Sequence, residues 1–333
     1  MADNMESNRL NNAGLVGNIL IGCIFLIVQG CGTISPVSPD QERFVLYEPE
    51  ISVDNFINKH APLFLIEENE KDFNRIGTPS VDLDDSGDQD VFIDTEKATY
   101  YTLTQNFSTS KGTYTNLIYR IHFSKTPLPH LTAGKNVGLL VYITLNEDKK
   151  PLLITTLHTC GCYLGFIPTT YLKEDAKPDM WQPEKQMVYG VTLPSFISGG
   201  EPGDRLVIKI SSETHRVIDL LYTSKQDLSG FKRTEAAMKP MSGLNNLSPE
   251  GDEPVSFFET KGFRKGYVKG SRKRLEMLFM SWWAMDFFVG EDKALGPPEE
   301  TGTVFYTTLK FWDRKNSNIW FFPDFLNYWG WKL

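Results

Sequence analysis

Over most of this chain the apolar positions fall into short runs rather than helical stripes. Residues 91–93, 99–103, 117–123, 137–145, 152–157, 187–193, 206–210 and 217–222 are rich in β-branched and aromatic side chains. Turn formers separate them, among them Thr126-Pro127, Asn146-Glu147-Asp148 and the glycine-rich stretch 199–204. Such spacing predicts the strands of an antiparallel sheet or sandwich. Near the C-terminus the period changes. Ser271 precedes residues 272–289, where Leu275, Leu278, Phe279, Trp282, Trp283, Met285 and Phe287 recur at helix-like intervals, and Gly290 marks the stop. The expected fold class is therefore α+β, a predominantly antiparallel β domain with a C-terminal helix and an aromatic-rich tail.

Composition divides the chain further. Residues 31–50 are rich in Pro and Ser and read as a tether, and residues 51–237 as the β-rich domain. Residues 238–262 shift to Pro, Gly, Asn and Ser, as a linker or long loop does, and residues 263–333 are expected to pack back on the β domain. At the other end, residues 19–28 read ILIGCIFLIV without a charge. A membrane-spanning helix needs ~20 apolar residues, whereas a signal-peptide core needs only ~7–15. The run leads into Val28-Gln29-Gly30-Cys31, with Gly32-Thr33-Ile34-Ser35-Pro36 after it. This segment resembles the lipobox of bacterial lipoproteins, with an aliphatic residue three before the cysteine and a small one directly before it. The resemblance implies removal of residues 1–30, acylation of Cys31, and a membrane partner held through that N-terminal lipid. Gly32, in place of a retaining Asp, implies the periplasmic face of the outer membrane rather than the inner membrane.

Charge narrows the partners. The chain carries a net charge of −8; loss of residues 1–30 removes one Arg, one Asp and one Glu and leaves −7. A surface of that sign repels phosphate backbones, so no nucleic-acid partner is expected. The densest basic stretch, from Arg264 to Arg274, precedes the expected helix and reads as a solvated face. Of four cysteines, Cys23 would leave with the signal and Cys31 would carry lipid, so Cys160 and Cys162 remain.

Those two stand in His158-Thr159-Cys160-Gly161-Cys162-Tyr163, at the end of an expected strand. If the backbone stays extended, His158, Cys160 and Cys162 emerge on one face. Imidazole and thiolates suit Zn, Cu or Fe, which makes these three candidate metal ligands. His122 is the leading fourth: it shares a face with Ile118 and Arg120, opposite Leu117, Tyr119, Ile121 and Phe123. His130 and His60 are weaker. The alternative chemistry is redox. Positions two apart on an ideal strand lie ~6.6 Å apart, at the edge of disulfide reach. Gly161 permits the bend that would close Cys160 to Cys162, giving a readily reduced ring. A third reading is a non-enzymatic envelope module.

Two further features stand out. Asp82, Asp84, Ser86, Asp88 and Asp90, with Gly87 among them, match the opening of a calcium loop, but Ile93 stands where the closing Glu belongs. The tail from Phe311 to Leu333 holds Trp312, Trp320, Phe321, Phe322, Phe325, Tyr328, Trp329 and Trp331. It suits either the core or a groove on an envelope protein partner. No nucleophile elbow, phosphate loop, zinc-protease helix or dinucleotide fingerprint occurs, so neither substrate nor enzyme class is named. The lipobox reading expects the mature chain to begin at an acylated Cys31, with the acyl label lost in Cys31→Ser. An exported protein that keeps residues 1–30 by mass spectrometry would overturn it.

Overall fold

A ten-stranded mixed sheet curls around one core and leaves its outer face to be covered by the C-terminal third of the chain. The structure, a computed structural model, describes residues 39–50, 56–83, 89–182, 184–248 and 253–333, and Ser38–Leu333 group as one compact unit. Cys31 and the lipobox lie outside the described residues. The strands are β1 (Phe44–Pro49), β2 (Leu63–Glu67), β3 (Thr78–Leu83), β4 (Gln89–Asp94), β5 (Ala98–Thr109), β6 (Gly112–Thr126) and β7 (Gly134–Leu145). They continue as β8 (Pro151–His158), β9 (Gly165–Pro168), β10 (Lys185–Val188), β11 (Val191–Pro194), β12 (Arg205–Ile210), β13 (Val217–Thr223) and β14 (Lys232–Pro240).

The large sheet runs β13-β12-β2-β1-β14-β5-β6-β7-β8-β9. Its neighbours pair antiparallel except β12 with β2, β1 with β14, and β14 with β5. The predominantly antiparallel α+β class is thus the observed one. Two hairpins, β3–β4 and β10–β11, stand apart from the sheet.

Alternation along β6 sets the layers. Leu117, Tyr119, Ile121 and Phe123 point into the concave core, where they meet Phe64 of β2 and Ile208 of β12. Strands that distant in the sheet order share a core only because the sheet curls. Ile118 points the other way, with Leu140 and Tyr142 of β7 and Leu153 and Leu157 of β8. Onto this convex face pack Phe257, Phe305, Phe322, Phe325 and Trp331. The aromatic tail therefore packs back on the domain in part: Phe322, Phe325 and Trp331 are buried and Tyr142 stacks on Phe322 at 5.3 Å, whereas Trp312 and Phe321 are exposed.

Several expected boundaries move. Residues 44–49, placed in the tether, form β1 between β2 and β14, because Phe44, Leu46 and Tyr47 have core positions to fill. The expected linker at 238–262 begins inside β14 and supplies buried Met241, Leu244 and Phe257. The single run at 187–193 is a hairpin, turned at Tyr189-Gly190 where both residues take positive φ. The C-terminal helix runs only from Arg274 to Ala284, and Met285 ends it in the left-handed region.

That helix is amphipathic in the unexpected sense. Lys273, Glu276 and Ala284 are buried and Met280 half-buried, all on the inward side. Leu278, Phe279, Trp282 and Trp283 occupy the outward side and are exposed. The apolar stripe at 3.6 spacing thus faces away from the domain, and charged side chains face into it.

The tail's contribution to folding is testable. Phe322→Ala should cost about 3–5 kcal/mol, read as a lowered urea midpoint, because it empties a site between Tyr142 and Phe107. Ending the chain after Trp320 should abolish cooperative unfolding; a truncated chain that still folds would show that the tail is dispensable.

Candidate functional site

The segment His158–Cys162 leaves β8 and folds back at once. His158 N–H donates to the Cys162 carbonyl at 2.9 Å, and Gly161 N–H to the His158 carbonyl at 2.8 Å. Gly161 takes φ +94° and its α-carbon lies so close to Tyr306 that an added Cβ would sit 2.1 Å from the carbonyl oxygen. Only glycine meets both demands. The resulting turn brings the Cα atoms of Cys160 and Cys162 to 5.6 Å, and the pair forms a disulfide. Of the two arrangements that the spacing allows, an extended strand and a bend at Gly161, the bend is the one observed. His158, Cys160 and Cys162 nevertheless converge, with one potential ligand atom of each within 4.8 Å of the others.

Two neighbouring segments lock this turn. Lys293 N–H donates to the Thr159 carbonyl at 2.9 Å, and its Nζ donates to the Cys160 carbonyl at 2.8 Å. Thr159 Oγ1 donates to Asp292, which also pairs with Lys273 at 3.2 Å. Asp292, Lys293 and Lys273 are all buried. Burial drives the Lys293 ammonium down to about 8. Lys273 stays above its ordinary value, because the Asp292 and Glu276 carboxylates outweigh its burial.

The disulfide forms part of the wall of a pocket of about 140 Å³, shared with Tyr163, Tyr189, Glu276, Met280 and Tyr306. Cys160 is buried, whereas Cys162 is half-buried. Cys162 N–H donates to Cys160 Sγ at 3.4 Å. Glu276 is the carboxylic acid among the lining residues, and burial raises its pKa above the usual carboxylate range. One of its oxygens has no hydrogen-bond partner. Larger depressions, of about 650 and 610 Å³, are lined by groups such as Glu174, Lys177 and Lys332 and hold neither cysteine nor histidine.

His158 is neutral, since burial holds its pKa well below the usual value. Its Nε2 donates to the His215 carbonyl at 3.0 Å, which leaves the lone pair on Nδ1. His122 does not join it. The pairing places His122 opposite Gly138 and His158 opposite Leu139, so the two imidazoles leave opposite faces of the sheet. His122 Nε2 instead accepts a hydrogen bond from Arg120 Nε at 3.1 Å. His130 pairs with Glu213 at 2.8 Å, and half-buried His60 packs at a tilt against Phe56, ring centroids 4.4 Å apart.

In the candidate calcium loop, Asp82 and Asp90 stand directly opposite one another in the β3–β4 hairpin, both exposed. Asp84, Ser86 and Asp88 lie outside the described residues. Missing from the sequence reading was the charged layer of Lys273, Glu276, Asp292 and Lys293. The one available signal was Arg120 beside His122 on a strand whose other face is wholly apolar. The chain matches no known protein family, no curated protein and no solved structure.

Buried neutral histidines make acid the weak flank of this site. The pKa of His122 and His158 lies well below 6.5 and that of His215 at about 3, each lowered first by desolvation. Unfolding therefore takes up protons as pH falls below about 6.5, and stability present above that pH is lost toward pH 3. In His215→Gln, the unfolding free energy should fall less steeply between pH 6 and 4, by about 1.4 kcal/mol per pH unit. Equal slopes in urea titrations would show that His215 is charged in the fold.

Proposed function

We propose that this protein is a thiol–disulfide redox protein working through Cys160 and Cys162. The observation that carries the reading is the unequal placement of the two sulfurs: Cys162 is half-open at a pocket, and Cys160 is buried with its Sγ accepting the Cys162 N–H at 3.4 Å. An attacking thiolate reaches the accessible sulfur, and the sulfur that leaves needs its charge stabilised. The reductant is a thiol of a small molecule or protein. Its thiolate attacks Cys162 Sγ, the Cys160–Cys162 bond breaks, and its electron pair departs on Cys160 Sγ, where the N–H donor offsets the charge. A second thiolate then attacks the reductant's sulfur in the mixed disulfide and releases Cys162. Two thiols become one disulfide, and their two protons end on Cys160 and Cys162. Glu276, whose pKa burial raises, lines the same pocket and is the candidate group to hand a proton to the departing sulfur. Anchoring outside the cytoplasm, which the lipobox implies, would place the pair where disulfides persist.

The reduced pair supports a second reading, a transition-metal site. His158 favours it: donating Nε2–H to a carbonyl fixes the ring and presents Nδ1, the arrangement that metal-binding imidazoles adopt. With both thiolates it would give Zn, Cu or Fe three ligands and one open position. Oxidation would remove two of the three, so the two readings describe opposite redox states of one turn.

A single preparation tests both. Mild thiol treatment of the folded full chain should free two thiols, and Cys160→Ser should trap glutathione on Cys162, seen by intact mass. A pair that stays oxidised until the protein unfolds would overturn the redox reading. The reduced protein should take up stoichiometric zinc and lose it in His158→Ala. Equal uptake by that variant would overturn the metal reading.

A further inference from the structure

The outward face of the helix Arg274–Ala284 has no use in the fold. Trp282 and Trp283 are 73% and 69% exposed, with Leu278 and Phe279 beside them one turn earlier. Met285 and Phe287, just beyond the helix end, are equally open. The turn at Phe311–Asp313 extends the patch: Arg314 donates to the Ala284 carbonyl and pairs with Asp286 at 3.6 Å, which ties this turn to the end of the helix. Phe311 and Trp312 are exposed there. Monomeric soluble proteins rarely leave a contiguous apolar area of this kind uncovered.

Charge identifies what covers it. Across residues 272–289 and 308–316 the exposed charged side chains are Arg272, Arg274, Lys310 and Lys315, every one cationic. The carboxylates in these stretches turn inward. Glu276 is buried, Asp313 is half-buried, and Asp286 accepts the Tyr306 hydroxyl at 2.5 Å. This local cationic bias belongs to a chain whose net charge is −8. Tryptophans with apolar neighbours and a cationic rim match the boundary of a lipid bilayer bearing anionic headgroups. The face is the outside of a helix rather than a groove, which suits a flat surface better than a peptide.

We propose that this face docks on an anionic membrane surface, with Trp282, Trp283 and Trp312 seated among the headgroups. The helix is 11 residues long and lies against the domain through its charged side, so the contact is interfacial rather than spanning. The docking is independent of the redox reading and of acylation at Cys31. It would add a second attachment to any lipid chain there, and one acyl chain alone holds a protein only weakly. The same helix supplies Glu276 and Met280 to the disulfide pocket, so docking would set that pocket just behind the lipid surface.

The test uses the full chain bound to vesicles containing lipids brominated near the top of the acyl chain, which quench only tryptophans inserted beside them. Vesicles with phosphatidylglycerol should quench the wild type strongly and Trp282→Ser/Trp283→Ser/Trp312→Ser little. The four remaining tryptophans pack into the domain and give the unquenched background. Arg272→Gln/Arg274→Gln leaves the aromatic face intact and should weaken binding to these vesicles about fivefold for each cation removed. Wild type quenched no more than the triple variant would overturn the proposal and leave the face to a protein partner. Binding unchanged in the arginine variant, or equal on phosphatidylcholine alone, would overturn its electrostatic part.

Discussion

Asp292 is the side chain on which the layer over the convex sheet face depends. That layer has little regular structure, so strand pairing cannot register it on the sheet. The buried carboxylate does so instead: it pairs with Lys273 at 3.2 Å at the start of the helix Arg274–Ala284 and accepts the Thr159 hydroxyl at the end of β8. Backbone bonds on either side extend the join, from Val268 N–H to the Asp292 carbonyl and from Lys293 N–H to that of Thr159. Taking a carboxylate and an ammonium out of water costs several kcal/mol per ion, and the pair returns that cost only with good geometry. Its contribution is therefore one of placement: the helix, the 291–293 segment and the cysteine turn fit together in one way.

This accounts for the helix being turned inside out. Its inward stripe of Lys273, Glu276 and Met280 meets Asp292 and the disulfide pocket, whereas an apolar stripe would take the Lys273 countercharge from that carboxylate. The apolar residues consequently point outward. A periodicity of 3.6 shows that a helix has two unlike faces, but which face is inward depends on what the facing layer contains. Here the facing layer is charged, and its charges come from Asp292 and Lys293, which in the sequence look like an ordinary polar turn after Gly290.

The same distinction between local pattern and partner separates what was legible from what was not. Apolar runs rich in β-branched and aromatic residues predicted β6, β7, β8, β12 and β13, and in β6, β7 and β8 the runs are nearly continuous because both faces lie in cores. The central strand β14 reads KRTEAAMKP and escaped notice, since only Ala236 of it is buried. It holds its place by parallel pairing with β1 and β5, which is a backbone property. In β6 the parity of His122 was read correctly. Its partnership with His158 was not, since that depends on the pairing across β7, where the two histidines face adjacent residues, Gly138 and Leu139. A single residue of offset moves a side chain to the other face. The grouping of donor side chains in the HTCGC segment was legible from residue types, whereas the choice between an extended strand and a bend at Gly161 stayed open. The backbone closes on itself at Gly161, pressed against Tyr306, a contact with a residue far along the chain that the local pattern does not carry.

That close approach links the two proposed surfaces. Tyr306, whose carbonyl bounds the cysteine turn, also donates its hydroxyl to Asp286 at 2.5 Å, just past the end of the outward-facing helix. Arg314 lies over the ring of Tyr306 and reaches the Ala284 carbonyl from the far side. The path from the exposed tryptophans to the disulfide thus passes through one tyrosine and the inner stripe of one short helix, without crossing the sheet. The ten strands fix where this assembly sits, while the turn and the helix share its charged layer. On the readings proposed for each, the lipid-facing side of this protein and its reducible turn lie on opposite sides of one short helix.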